Sequence, residues 1–131
     1  MLGQKRIREH GLRIGTMETG PGNSITDVTG VTVGHSTILS DQVRTGVTAV
    51  IPHGGNLFRE KLPASCHVIN GFGKSAGLVQ IEELGTIETP VLLTNTFGVG
   101  SCVNGLIRYM LDHNTDIGIS TGTVNPLVLE C

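Results

Sequence analysis

The stretch GFGKSAG, Gly71 to Gly77, has the residue types of a phosphate cradle: glycines that let backbone amides turn inward, a lysine and a hydroxyl. It follows a short apolar run, CHVIN, and precedes a segment with helical spacing. The phosphate-loop pattern G-x-x-x-x-G-K-[ST] is met only at Gly73, Lys74 and Ser75. Its first glycine falls where Val68 stands, and without it the backbone cannot wrap the phosphates. The dinucleotide pattern G-x-G-x-x-G fails at Ala76, and no acidic residue closes a second strand at the required distance. GFGKSAG therefore reads as a flexible loop beside a cleft. Nucleotide binding stays open as an alternative that would require ATP affinity lost on Lys74→Ala.

Other groups able to do chemistry are scattered. His10, His35, His53, His67 and His113 offer no i, i+4 or H-x-H pair to hold one metal, so each is expected at the surface or in a hydrogen bond. Glu82 with Glu83 and Asp112 with Asp116 read as solvated faces on or beside helices. Hydroxyl residues follow glycine at Ser101, Thr86 and Thr123, the setting in which self-cleaving hydrolases expose a new N-terminal nucleophile. The α-amino group of such a residue, with a pKa of about 7.7–8.0, takes the hydroxyl proton without a histidine. Ser101, however, falls in the first turn of an expected helix, where a hydroxyl caps backbone amides. Motifs alone assign no catalytic residue.

Composition narrows the partners. The chain has 131 residues, 38% hydrophobic and 15% charged, enough for one core. Nine Lys and Arg against eleven Asp and Glu, with 3% aromatic residues, leave no basic stripe and little to stack bases, which argues against nucleic acid. Cys66, Cys102 and Cys131 lack C-x-x-C spacing and read as reduced, buried thiols. The basic N-terminal segment MLGQKRIREHGLRIG is too polar for a signal peptide or a membrane span, so a cytoplasmic protein is expected.

These residues must be positioned by short elements, because nineteen glycines sit at the ends of apolar runs. Val31–Ile38 and Val47–Ile51 are rich in β-branched residues and read as antiparallel neighbouring strands. Cys66–Asn70 and Val91–Thr94 read as buried strands, with a helix over Ala76–Leu84 between them. Val99 to about His113 repeats apolar residues at three- and four-residue spacing, which predicts a helix whose stripe (Val99, Cys102, Val103, Leu106, Ile107, Met110, Leu111) faces the core and stops at Asn114. The last run, Pro126–Glu130, reads as a strand stopping abruptly before Cys131, and so as part of something longer.

In order and spacing, NSITDVTGVTVGHSTI, RTGVTAVIPHG, NGFGKSAGLVQIEELGTIETPVLLTNTFGVG and NPLVLEC resemble the L-aminopeptidase/D-esterase/amidase family, also called β-peptidyl aminopeptidases. The likeness runs from about Arg6 to Cys131. It implies an α+β fold, part of an αββα sandwich, in which residues 1–131 form a single incomplete domain, the N-terminal part of a larger subunit. It also implies self-cleavage of a precursor and attack by the new N-terminal serine of a smaller chain, a residue that would lie downstream of Cys131. GFGKSAG would then be a turn between strand and helix near the substrate cleft, with Lys74 exposed or loosely paired.

One site residue carries over. In the family, the strand corresponding to NPLVLEC ends in a glutamate that receives the free amino group of the substrate, and Glu130 stands there. A carboxylate suits an ammonium by a charge-assisted bond. The other reading of Glu130 is an exposed acid with no role. Some members carry a tyrosine two places later, and this sequence stops one residue after Glu130. Asn95 and Thr96 match the family at a strand end near the cleft, where an asparagine caps or turns the backbone. The resemblance implies a peptide or amino-acid amide substrate, a homo-oligomer of processed pairs and no cofactor or metal. Two alternatives remain: an inactive fragment that acts only by association, and an acyl transferase like the ornithine acetyltransferases, which resemble this family in architecture.

Overall fold

Valine, threonine and isoleucine crowd the segments on either side of Ser40–Val43, and the chain there folds as a hairpin. Strand β1 (Thr32–Leu39) and strand β2 (Arg44–Ile51) pair antiparallel, from Thr32 opposite Ile51 to Leu39 opposite Arg44. A computed structural model of the chain describes residues 5–131; residues 1–4 of the basic N-terminal segment lie outside that range. The remaining elements are β3 (Leu62–Pro63), β4 (Ser75–Ala76), α1 (Leu78–Leu84), β5 (Thr86–Ile87), β6 (Val91–Thr94), α2 (Val99–His113) and β7 (Leu127–Glu130). Five strands form one sheet in the order β1-β2-β6-β7-β4, and β3 with β5 makes a separate ribbon. Every pair in the larger sheet is antiparallel except β6 with β7. A parallel pair needs a crossover long enough to bring the chain back, and α2 lies within it.

Register places Gly34, Ala49, Leu92, Val128 and Ala76 in one row across the sheet, on one face. The apolar stripe of α2 packs on that row. Leu106 and Met110 are buried against Val128, Val99, Cys102 and Val103 surround them, and Phe58 and Ile117 close the cluster. Val99, Cys102, Val103, Leu106 and Met110 of the expected stripe thus belong to the core, whereas Ile107 is only half-buried outside the cluster and Leu111 is 40% exposed. Asn114 ends the helix as expected and is itself buried, its amide group donating to Met110 O. The opposite sheet face carries half-buried Val33, Val50, Val91, Leu93 and Leu129, together with Leu127, which is buried. One sheet with a helix on one side makes the chain α+β and amounts to two layers of an αββα arrangement.

The segment before the sheet's edge differs from expectation. Cys66–Asn70 forms no strand, and Ile69 is 91% exposed. The edge of β7 is occupied by Ser75–Ala76, so the earlier apolar run has no place beside that strand. For the same reason the helix expected from Ala76 begins at Leu78. Between strand and helix Gly77 adopts φ +92°, and a Cβ there would stand 2.6 Å from Pro126 O, so the junction requires glycine twice over. The cysteines are free, but only half-buried at Cys66 and Cys102, and exposed at Cys131.

Candidate functional site

Glu130 stands at the C-terminal end of β7, opposite Thr94 of its parallel neighbour β6. It shares a sheet face with Val128, one step beyond the ground covered by α2. The chain leaves β6 at Asn95, whose Oδ1 accepts from Gly98 N (2.9 Å) and whose Nδ2 donates to Thr45 Oγ1 of β2 (2.5 Å). Asn95 thereby caps the 3-10 turn Thr96–Gly98, the backbone role expected of it. At Gly98 the turn passes so close to β6 that a Cβ would lie 2.5 Å from Thr94 Oγ1. Held in this way, Thr96 donates from Oγ1 to Glu130 Oε1 at 2.9 Å. From the other side Lys74 N donates to Glu130 Oε2 at 2.7 Å, and Glu130 N returns a bond to Lys74 O at 3.0 Å.

These bonds define the electrostatics. The Lys74 backbone N–H, then the Thr96 hydroxyl, hold the Glu130 carboxyl below its ordinary range, against a smaller opposing effect of desolvation. An ionised carboxylate offers about four lone-pair positions, so two donors leave acceptor capacity on both oxygens. Glu130 lines a cleft of about 650 Å³, walled by Leu129, Leu78, Ser75 and the segment Ser65–Gly71. No hydrogen bond joins Ser65, Ser75 or Cys66 of this wall to an acid or imidazole among the described residues; the thiol of Cys66 points at Leu78 O. The site can therefore bind a cation, but its own hydroxyls and thiol are not activated for attack.

Three amides of GFGKSAG are already bonded within the chain. Asn70 Oδ1 accepts from Phe72 N (3.1 Å) and Gly73 N (3.3 Å), and Lys74 N is bonded to Glu130. The anion facing this loop is a carboxylate of the same chain, which removes the donors a phosphate would need. Lys74 is an exposed cation: its Nζ donates to Phe72 O (2.6 Å) and lies 4.0 Å from the centre of the Phe72 ring.

Of the other candidates, His67 lies exposed in the cleft wall with no hydrogen bond to Glu130, and the rest stay apart from the cleft or serve the scaffold. Ser101 is exposed on α2 and makes no cap. His35 bonds Thr48, His53 bonds Glu60 O, and His113 bonds Tyr109 O. Glu82 and Glu83 are exposed, as expected. Asp116 departs from the solvated reading: Arg59 pairs with both its oxygens at 2.5 Å and holds its carboxyl below the usual range.

Sequence reasoning passed over Glu88, which is 2% exposed. Its Oε2 is paired with Lys61 Nζ, and its Oε1 accepts from Asn125 N at 2.9 Å. Beside it the fully buried Thr89 accepts from Leu127 N at 3.2 Å, so the two residues together guide the chain into β7. An acid directly before an apolar strand was the signal available, and its partners are remote in sequence. A second hollow of about 270 Å³ lies by the C-terminal end of α2, where Asn56 donates to Asn114 Oδ1 and the polar walls bond one another.

Residues 23–131 match peptidase family S58. Over 102 residues the chain is 36% identical to the β-peptidyl aminopeptidase BapA of Sphingosinicella microcystinivorans, covering 71% of this chain and 26% of that protein. It is 39% identical over 87 residues to the enzyme of the same name from Sphingosinicella xenopeptidilytica, covering 60% and 21%. Among solved structures, the PH0078 protein of Pyrococcus horikoshii superposes with a TM-score of 0.88 at 52% identity, over 95% of this chain and 38% of the other. A Burkholderia β-aminopeptidase gives 0.85 at 36% identity, over 97% and 36%. The L-aminopeptidase D-Ala-esterase/amidase of Ochrobactrum anthropi, a variant of the Ntn-hydrolase fold, gives 0.77 at 35% identity, over 97% and 38%. The chain therefore spans well under half the length of each of these relatives.

Proposed function

The chain belongs to peptidase family S58, and from that premise we propose that it is part of a self-processing aminopeptidase acting on short peptides, amides or esters with a free amino terminus. Residues 1–131 supply one wall of the cleft and the acid that receives the substrate ammonium, Glu130. The attacking group is an N-terminal serine from polypeptide beyond Cys131. Its α-amino group takes the hydroxyl proton, Oγ bonds to the substrate carbonyl carbon, the amine or alcohol leaves with a proton, and water then hydrolyses the acyl-enzyme. Processed pairs assemble as a homo-oligomer, and the cytoplasmic location is a reading supported by the free thiols at Cys66, Cys102 and Cys131. No helix among the described residues is long and apolar enough to cross a membrane.

The observation that carries this reading is the Glu130 carboxylate, ionised and fixed by two donors at the edge of a 650 Å³ cleft. A charge-assisted bond to an ammonium contributes roughly 1.5–3 kcal/mol, about ten- to a hundredfold in preference for free over blocked amino termini. The names of the relatives differ between L-aminopeptidase and β-peptidyl aminopeptidase. An acid that reads only the ammonium tolerates either spacing to the carbonyl; the position of the nucleophile selects between them. The test is hydrolysis of an aminoacyl p-nitroanilide and its N-acetyl derivative by the complete gene product. Self-cleavage and preference for the free amine are expected. Absence of both processing and product release would overturn the enzymatic reading.

A further inference from the structure

Thr96 lies outside every motif with an assigned duty, yet its hydroxyl is one of only two donors to Glu130 recorded among the described residues. Its setting is built rather than incidental. Asn95 ties the turn to Thr45 on β2 and caps Gly98, Gly98 admits no side chain against Thr94, and Cys131 N donates to Thr94 O at 3.0 Å on the far side of Glu130. The backbone on both sides of the Thr96–Glu130 contact is therefore fixed before any ligand arrives. A carboxylate held by the Lys74 amide alone could rotate about its last torsion, since terminal sp³–sp² torsions are broad. A second donor on the other oxygen fixes the plane of the carboxylate and thus the direction of its remaining lone pairs.

Resting on the reading of Glu130 as the amine-binding acid, we propose that Thr96 is a positioning residue for amine recognition: its hydroxyl aims the Glu130 carboxylate at the substrate ammonium. The contribution of Thr96 is specific to ligands that carry the amine. A residue needed only for the turn would affect all ligands alike.

The experiment uses the complete, self-processed enzyme and a chromogenic aminoacyl p-nitroanilide, with alaninamide, a competing substrate read at initial rates, and its des-amino counterpart propionamide as the two inhibitors of chromogen release. Thr96→Val, nearly isosteric, is expected to weaken alaninamide about five- to tenfold, less than the roughly ten- to hundredfold of a direct bond to a charged group because the effect reaches the amine only through Glu130, to raise KM more than it lowers kcat, and to leave propionamide unchanged. Thr96→Ser, which keeps the hydroxyl, is expected to restore alaninamide binding to within about twofold of the parent. Thermal melting and self-cleavage report folding, and Thr96→Ala substitutes for the valine variant if that fails to process. Equal weakening of both inhibitors, or of neither, overturns the positioning role. Glu130→Gln separates the two readings: if it still prefers alaninamide, the amine role of Glu130 fails and this inference with it. If that preference is lost in Glu130→Gln but intact in Thr96→Val, only the role of Thr96 falls.

Discussion

Two acids illustrate how neighbours set the behaviour of a residue type. Glu130 has a lowered pKa, chiefly through the Lys74 amide and then Thr96, so it stays ionised to a pH below the ordinary glutamate value of about 4.3. Amine recognition is therefore expected to persist on acidification until pH falls through that lowered value. On the alkaline side it should fade as substrate amines deprotonate near about pH 8. In a pH profile of kcat/KM, Glu130→Gln should lose the preference for free amines and the acid limb that belongs to this group; an unchanged acid limb would assign it elsewhere. At Glu88 burial raises the pKa, yet the bonds from Lys61 and Asn125 outweigh it and the net shift is downward. Its folded value lies below its unfolded one, so this stabilisation is present above about pH 4.3–4.5 and is lost as pH falls through the folded value. Glu88→Ala leaves a lysine facing a vacated site. Because the Lys61 side chain is 42% exposed, the loss should be about 2–3 kcal/mol, below that for a fully buried pair. Chemical denaturation at neutral pH measures it, and a change under about 0.5 kcal/mol would show the pair to be dispensable.

At the scale of elements, position in the sheet overrides local propensity. Val91–Thr94 and Leu127–Glu130 become strands because they are mutual neighbours beneath α2. Cys66–Asn70 has comparable apolar content but pairs with no strand, the place beside β7 being taken by β4. Helix α2 was legible because a 3.6-residue period records which side is buried; β4 was not, since two residues carry no period. Leu106→Ala should cost about 3 kcal/mol, because Leu106 packs against Val128 with 3% exposure and the cavity left behind cannot collapse under a helix anchored at both ends. Gly77→Ala should destabilise by more than the roughly 1 kcal/mol of an ordinary left-handed position, since Pro126 O also stands in the way. It should also disturb the β4–β7 pairing that sets Lys74 against Glu130, so amine selectivity is expected to fall along with melting temperature. A Gly77→Ala variant of parental stability would contradict this geometry.

For the molecule as a whole, the faces of the large sheet are unequal: one lies under α2, and the other presents half-buried Val33, Val50, Leu93 and Leu129. An apolar sheet face of this kind favours association. In sedimentation velocity the 131-residue chain is expected to self-associate as concentration rises, and Leu93→Asp to reduce that association; a clean monomer at high concentration would show that the face is self-sufficient. The sequence by itself determined the hairpin, the helix with its core stripe, the strand ending in Glu130 and the resemblance to a peptidase family, because hydrophobic periodicity and residue order are local properties. Only the tertiary structure decided what Glu130 meets. Its two donors lie 34 and 56 residues away along the chain, and they converge because β7 is held between β6, which leads into the Thr96 turn, and β4, which follows Lys74. Such convergence depends on which strands become neighbours, and no local pattern of residues records that.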